Sequence, residues 1–177
     1  MKLRVGESEW SRELEVRKDP HSAGSQADVE AQAALLLKMR DQINEVVDMI
    51  DELEWTRKEL LELVERHGAR EGMKTVVSNA EELEQYALSV EAKLFDVNMT
   101  GAREDAFRAP MQLYGRLGAL ANDVGMDGAD FPPTDQQLEV HAVLTERLED
   151  VRAQYEKLMK EDVPAFRASF PSSEEGK

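Results

Sequence analysis

The chain has 177 residues, 33% of them charged and only 6% aromatic, with a formal net charge of −15. That length is enough for one domain with a genuine core, and that charge argues against nucleic acid and anionic membrane surfaces as partners. Cysteine is absent, which excludes disulfides, thiolate catalysis and cysteine-based zinc sites.

The opening segment, MKLRVGESEW, lacks the apolar stretch of a signal peptide, and no apolar run anywhere reaches 18 residues. The chain alone is therefore expected to be soluble and cytoplasmic. Residues 1–18 alternate with period two: Leu3 and Val5 on one side of GESE, then Trp10, Leu14 and Val16 on the other. That is a β-hairpin pattern, and an isolated hairpin is marginal in water. Either it lies on the helices that follow, or its sheet is missing from these residues; the second is the favoured expectation.

Residues 19–25 (DPHSAGS) form a joint, with an Asp-Pro turn and Gly24 and Ser25 loosening the chain. From Ser25 to Gly68 there is no proline and no internal glycine, which predicts one helix about 60 Å long. Ser25 and Asp28 form a capping-box start and Gly68 a stop. Its expected seam rows are Val29, Leu36, Ile43, Ile50, Arg57 and Val64, and Met39, Val46, Leu53 and Leu60. Leu35, Leu37, Val47, Leu61 and Leu63 widen that stripe toward more than one partner helix. Such a helix either projects beyond shorter neighbours or is covered in part by the hairpin.

A second helix is expected from about 71 to 97 on Val76, Ala80, Leu83, Ala87, Val90, Leu94 and Val97. Asn98-Met99-Thr100 is formally a glycosylation sequon, a tripeptide frequent by chance. A third helix covers about 105–123, with Pro110 near its start and Met111, Leu113, Leu117, Leu120 and Val124 inward. After the loop DVGMDGADFPPTD, Thr134 and Gln137 cap a fourth helix running to about Glu161 on Leu138, His141, Leu144, Leu148, Val151, Tyr155 and Leu158. Pro164 interrupts it or starts one more turn carrying Phe166, with Phe170 beyond. The fold class that follows is all-α: an up-down-up-down four-helix bundle with one very long first helix, preceded by a short N-terminal β-hairpin. In domain terms, residues 1–18 are the hairpin, 19–25 the joint, 26–170 the bundle and 171–177 a frayed tail.

Chemistry is sparse. The Glu-x-x-His pattern of di-iron bundles fails, since Val64 precedes His67 and Leu138 precedes His141 by three. Only His141 lies on a seam, where a core histidine is the ordinary reading. The segment from Asp123 to Thr134 has calcium-loop features at Asp127 and Gly128 but no carboxylate at its twelfth position. Asp48, Asp51, Glu52 and Glu54 read as a solvated face, not an acid–base pair. Arg57 breaks the seam and either pairs with a buried Glu or, by default, snorkels to the rim. Met39, Met49, Met111 and Met159 fill gaps in a core more readily than they line a groove. No nucleophile motif, phosphate-binding glycine loop or zinc-protease signature occurs. The expected catalytic, cofactor-binding and metal residues are therefore none, and no cofactor is expected.

The run LEVRKDPHSAGSQADVEAQAALLLKMRD resembles a segment of large bacterial proteins with Asp-box (BNR-type), sortilin-like β-propeller repeats, often labelled glycosyl hydrolases. FRAPMQLYGRLGALANDVG and PPTDQQLEVHAVL resemble the closing helices of that family, so the likeness spans most of the chain. It implies that residues 1–18 are the last two strands of a β-sandwich following the propeller, with Met1 an internal methionine or a truncated gene start. It also implies an exported parent protein and any catalytic part upstream, because no Asp-box occurs here. It supplies no functional residues for the helices. The function expected is a non-catalytic structural or interaction module whose partner is the parent's own propeller and sandwich. The rivals are a stand-alone acidic bundle that self-associates or binds a protein, and a hydrolase-associated domain.

Overall fold

The computed structural model describes residues 1–99, 111–125 and 130–169. The protein is all-α, with four principal helices, a very long first one, and a short hairpin ahead of them. Strands β1 (Lys2–Val5) and β2 (Ser8–Ser11) precede helices α1 (Gln26–His67), α2 (Lys74–Leu94), α3 (Leu113–Gly125) and α4 (Asp135–Lys157). A 3₁₀ turn, Glu71–Met73, leads into α2. A π turn, Leu158–Asp162, joins α4 to a last short helix, α5 (Val163–Ala168).

Local sequence explains where the helices begin. Ser25 Oγ accepts from the Asp28 amide at 3.2 Å while the Asp28 carboxylate accepts from the Ser25 amide at 2.7 Å. Thr134 and Gln137 make the same reciprocal pair at α4. Each box satisfies amides that the first helical turn leaves without partners.

The side-chain contacts fix helix directions. Arg57 on α1 meets Glu84 on α2, as an antiparallel helical hairpin requires. Gln32 near the start of α1 donates to the carbonyl of Val124 at the end of α3, so α3 is also antiparallel to α1. On α4 and α5, Thr145, Tyr155 and Arg167 meet Gln42, Glu52 and Glu59 in ascending order, so these helices run parallel to α1. Direction alternates within each pair, α1 with α2 and α3 with α4, while α2 and α3 descend one after the other along α1. The long helix does not project beyond its neighbours: α2 covers its carboxy-terminal half and α3 its amino-terminal part.

One expected seam row, Met39, Val46, Leu53 and Leu60, is buried. The other buried row is Leu35, Gln42, Met49 and Thr56; Leu36, Ile43, Ile50 and Arg57 are only half-buried, on the flank facing α2 and α3. One residue is 100° of helix, enough to move a row from core to flank. Leu37 and Leu61 are 50% and 51% exposed, so they do not widen the stripe, and Val47 is also exposed. Helix α2 ends at Leu94, short of the expected 97. Phe95 turns extended and meets Tyr114 edge-on at 6.2 Å, which leaves Val97 exposed outside the core. Leu113, Leu117, Leu120 and Val124 are buried as expected, whereas Leu138 and Met111, which precedes the first residue of α3, are exposed. Pro110, Thr100, Asp127, Gly128, Phe170 and the tail lie outside the described residues.

Pro164 stands in the first turn of α5, the further turn expected to carry Phe166, and the chain reaches it without a break. Having no N–H, it cannot bond to the carbonyl of Lys160, and the helix passes through a π turn in which the amide of Val163 reaches Leu158 instead. The extra residue keeps Leu158 and Val163, five apart, both in the core.

In the hairpin, Leu3 faces Trp10 and Val5 faces Ser8 across a turn containing Gly6 at φ 60°. Pairing stops near Arg12, so Leu14 and Val16 do not extend the strand. All eight strand residues are exposed, so the hairpin does not bury its apolar face on the helices. The joint, by contrast, is not loose. Gly24 is buried, and a Cβ there would stand 1.4 Å from the carbonyl oxygen of Asp130. Gly24→Ala must push the joint off the loop before α4 and is expected to cost about 1–3 kcal/mol in urea unfolding. Gly118→Ala, on α3 where a Cβ meets nothing within 4 Å, is expected to stabilise by about 0.5–1 kcal/mol.

Candidate functional site

Two polar constellations lie inside the bundle, and both are built across helices. The first centres on Arg57. Its Nε donates to Glu84 at 2.9 Å and its Nη1 to Glu91 at 2.6 Å. Glu84 and Glu91 are two turns apart on α2 and their side chains are only 6% and 4% exposed. Glu84 also accepts from the Gln85 amide. The snorkelling expected of Arg57 is therefore replaced by pairing. Two carboxylates on the facing helix offer the guanidinium more than a rim of water does, since charge-assisted bonds strengthen where water is scarce. Burial opposes the guanidinium's charge, but the hydrogen bonds to Glu91 and then Glu84 outweigh it, and its pKa stands above the ordinary value.

The second constellation is a closed circuit between α1 and α4. His141 Nε2 donates to Gln42 Oε1 at 2.8 Å, the Gln42 amide donates to Thr145 Oγ1, and Thr145 donates back to the carbonyl of His141. His141 is buried, and burial first, then the nearby Lys38 ammonium, hold its imidazole below the ordinary range. The circuit satisfies a neutral ring with its proton on Nε2. His141 is thus a core histidine.

Along the outer flank of α1, Glu45, Glu52 and Glu59 recur at heptad spacing. They take donors from Arg152, Tyr155 and Arg167, respectively. The Tyr155 phenol is pushed upward by burial and then by its bond to Glu52, so it stays protonated and donating throughout the neutral range. The Arg167–Glu59 pair is exposed on both sides and contributes little. Asp48, Asp51 and Glu54 are exposed on the solvated face, as expected.

His21, His67 and His141 sit at the joint, at the end of α1 and in the core, and are not brought together. Among the described residues no group of three His, Asp or Glu side chains is placed to hold a metal ion, and no helix is long and apolar enough to cross a membrane. Sequence reasoning missed Glu84 and Glu91. Their signal was readable: Ala80, Glu84, Ala87, Glu91 and Leu94 follow steps of four and three, so the two acids occupy core positions of α2. No family model, no curated protein and no solved structure matches the chain.

Arg57→Met leaves two buried carboxylates without their cation and is expected to cost about 3–5 kcal/mol in chemical unfolding. Replacing all three residues together (Arg57→Met, Glu84→Leu, Glu91→Leu) is expected to recover most of that loss. Because the folded protein favours neutral His141, the unfolded chain takes up this proton first as pH falls below about 6.5. The stability contributed is complete above that pH and is lost as pH falls through the window toward the lower folded value. Urea midpoints should decline more steeply for the wild type than for His141→Gln as pH falls below about 6.5.

Proposed function

We propose that the chain is a non-catalytic structural and interaction module: a helical spine that presents its hairpin to a neighbouring β-domain. The observation that carries this reading is the hairpin face. Leu3, Val5 and Trp10 lie on one side of paired strands and are 60%, 61% and 55% exposed, while Lys2, Arg4 and Glu9 pair on the other side. Apolar faces of this kind belong in a sheet core, and a two-stranded ribbon supplies none. The family resemblance of the sequence suggests the partner: the β-sandwich that follows an Asp-box propeller in large bacterial exported proteins. Hydrolase activity, in this reading, belongs to the upstream part.

A second reading, self-association as a stand-alone bundle, draws on Leu37, Val47 and Leu61, exposed along the outward side of α1. The two are separable. Under the module reading, deleting residues 1–18 leaves helical circular dichroism and the melting temperature nearly unchanged; a large loss of either would show that the hairpin serves the bundle itself. The reading frame upstream of Met1 gives an independent check. Continuation into Asp-box repeats supports the module, whereas a stop codon and ribosome-binding signal immediately before Met1 overturn it.

A further inference from the structure

Where α2 gives way to α3, the bundle leaves a cavity of about 350 Å³ against α4. Its floor is apolar, made by the buried side chains of Leu113 and Val151. Three cations line it, Lys93, Arg116 and Arg147, against one carboxylate, Asp150, in a chain whose net charge is −15. Among the described residues, none of the three forms an ion pair. Lys93 donates to the Gln154 carboxamide and Arg116 Nε to the carbonyl of Met111, which leaves two ammonium protons and the Nη groups of Arg116 uncommitted. Arg147 has no hydrogen bond or ion pair among the described residues.

We propose that this cavity binds a small multivalent oxyanion, with Lys93, Arg116 and Arg147 as its ligands. Three cations drawn from three helices repel one another, and Asp150 neutralises one of them at most. A bound oxyanion relieves that repulsion and accepts from both guanidinium forks. The three cations stand exposed around the apolar floor, where an incoming anion can reach them. The volume is at the small end of ligand sites, which favours a molecule the size of pyrophosphate or citrate. This inference is independent of the hairpin's role, because no hairpin residue lines the cavity. The acidic charge of the whole chain does not oppose it at close range, since surface charges more than about 10 Å away are screened at ordinary salt.

The test is calorimetric titration of the full chain with inorganic pyrophosphate and, separately, with citrate. Saturable one-to-one binding of at least one is expected, and the tighter of the two identifies phosphate or polycarboxylate chemistry. Arg147→Gln and Arg116→Gln should each weaken it about tenfold or more, the worth of a lost charge-assisted bond. Asp150→Asn should tighten it, a gain that separates loss of the site from loss of the fold. Arg70→Gln, which removes an exposed cation outside the cavity, should leave it unchanged. Absence of saturable binding by either anion overturns the proposal. So does wild-type affinity in both arginine variants, or an equal loss in Arg70→Gln.

Discussion

A helix of 42 residues cannot cover its own apolar side, and the rest of the architecture follows from that constraint. Among the described residues no other helix matches its length. The problem is solved with two columns: α2 and α3 placed one after the other on one side, and α4 with its π turn and α5 extended along the other. The first column has a break where the chain passes from α2 to α3, and that break is where the cationic cavity lies. The second column is kept continuous past Pro164 by a shift in hydrogen-bond register.

Running α4 parallel to α1 brings chemistry of a particular kind to their interface. Short aliphatic contacts give way to long polar side chains that bridge the two helices: Gln42 to His141 and Thr145, Glu45 to Arg152, Glu52 to Tyr155. A slip of one turn would break every bridge, so these pairs act on register more than on net stability. Arg57 with Glu84 and Glu91 does the same for α1 and α2. Buried ion clusters add little free energy beyond what an apolar replacement gives, yet they penalise any packing that separates them.

The hairpin stands apart from this logic. Its two strands are formed by local turn geometry at Gly6 and by cross-strand pairing, and neither requires the helices. The joint behind it approaches the loop before α4 closely at Gly24.

Much of the fold was legible. The extent of α1, both capping boxes, the hairpin turn and the row from Met39 to Leu60 could each be read from residue type and spacing, because caps and turns are local and a 3.6-residue period survives any tertiary context. Other features depended on neighbours. Whether Leu35 or Leu36 faced the core turned on where two columns settled around α1. Whether Arg57 met water or two carboxylates turned on the register of α2, although the four-three spacing of Glu84 and Glu91 hinted at it. Gly24 read as a loosening residue because a sequence cannot show that a carbonyl from residue 130 will stand where its side chain would be. Local chemistry determined the elements; contacts between residues some hundred positions apart decided their faces, their order and the cavity between them.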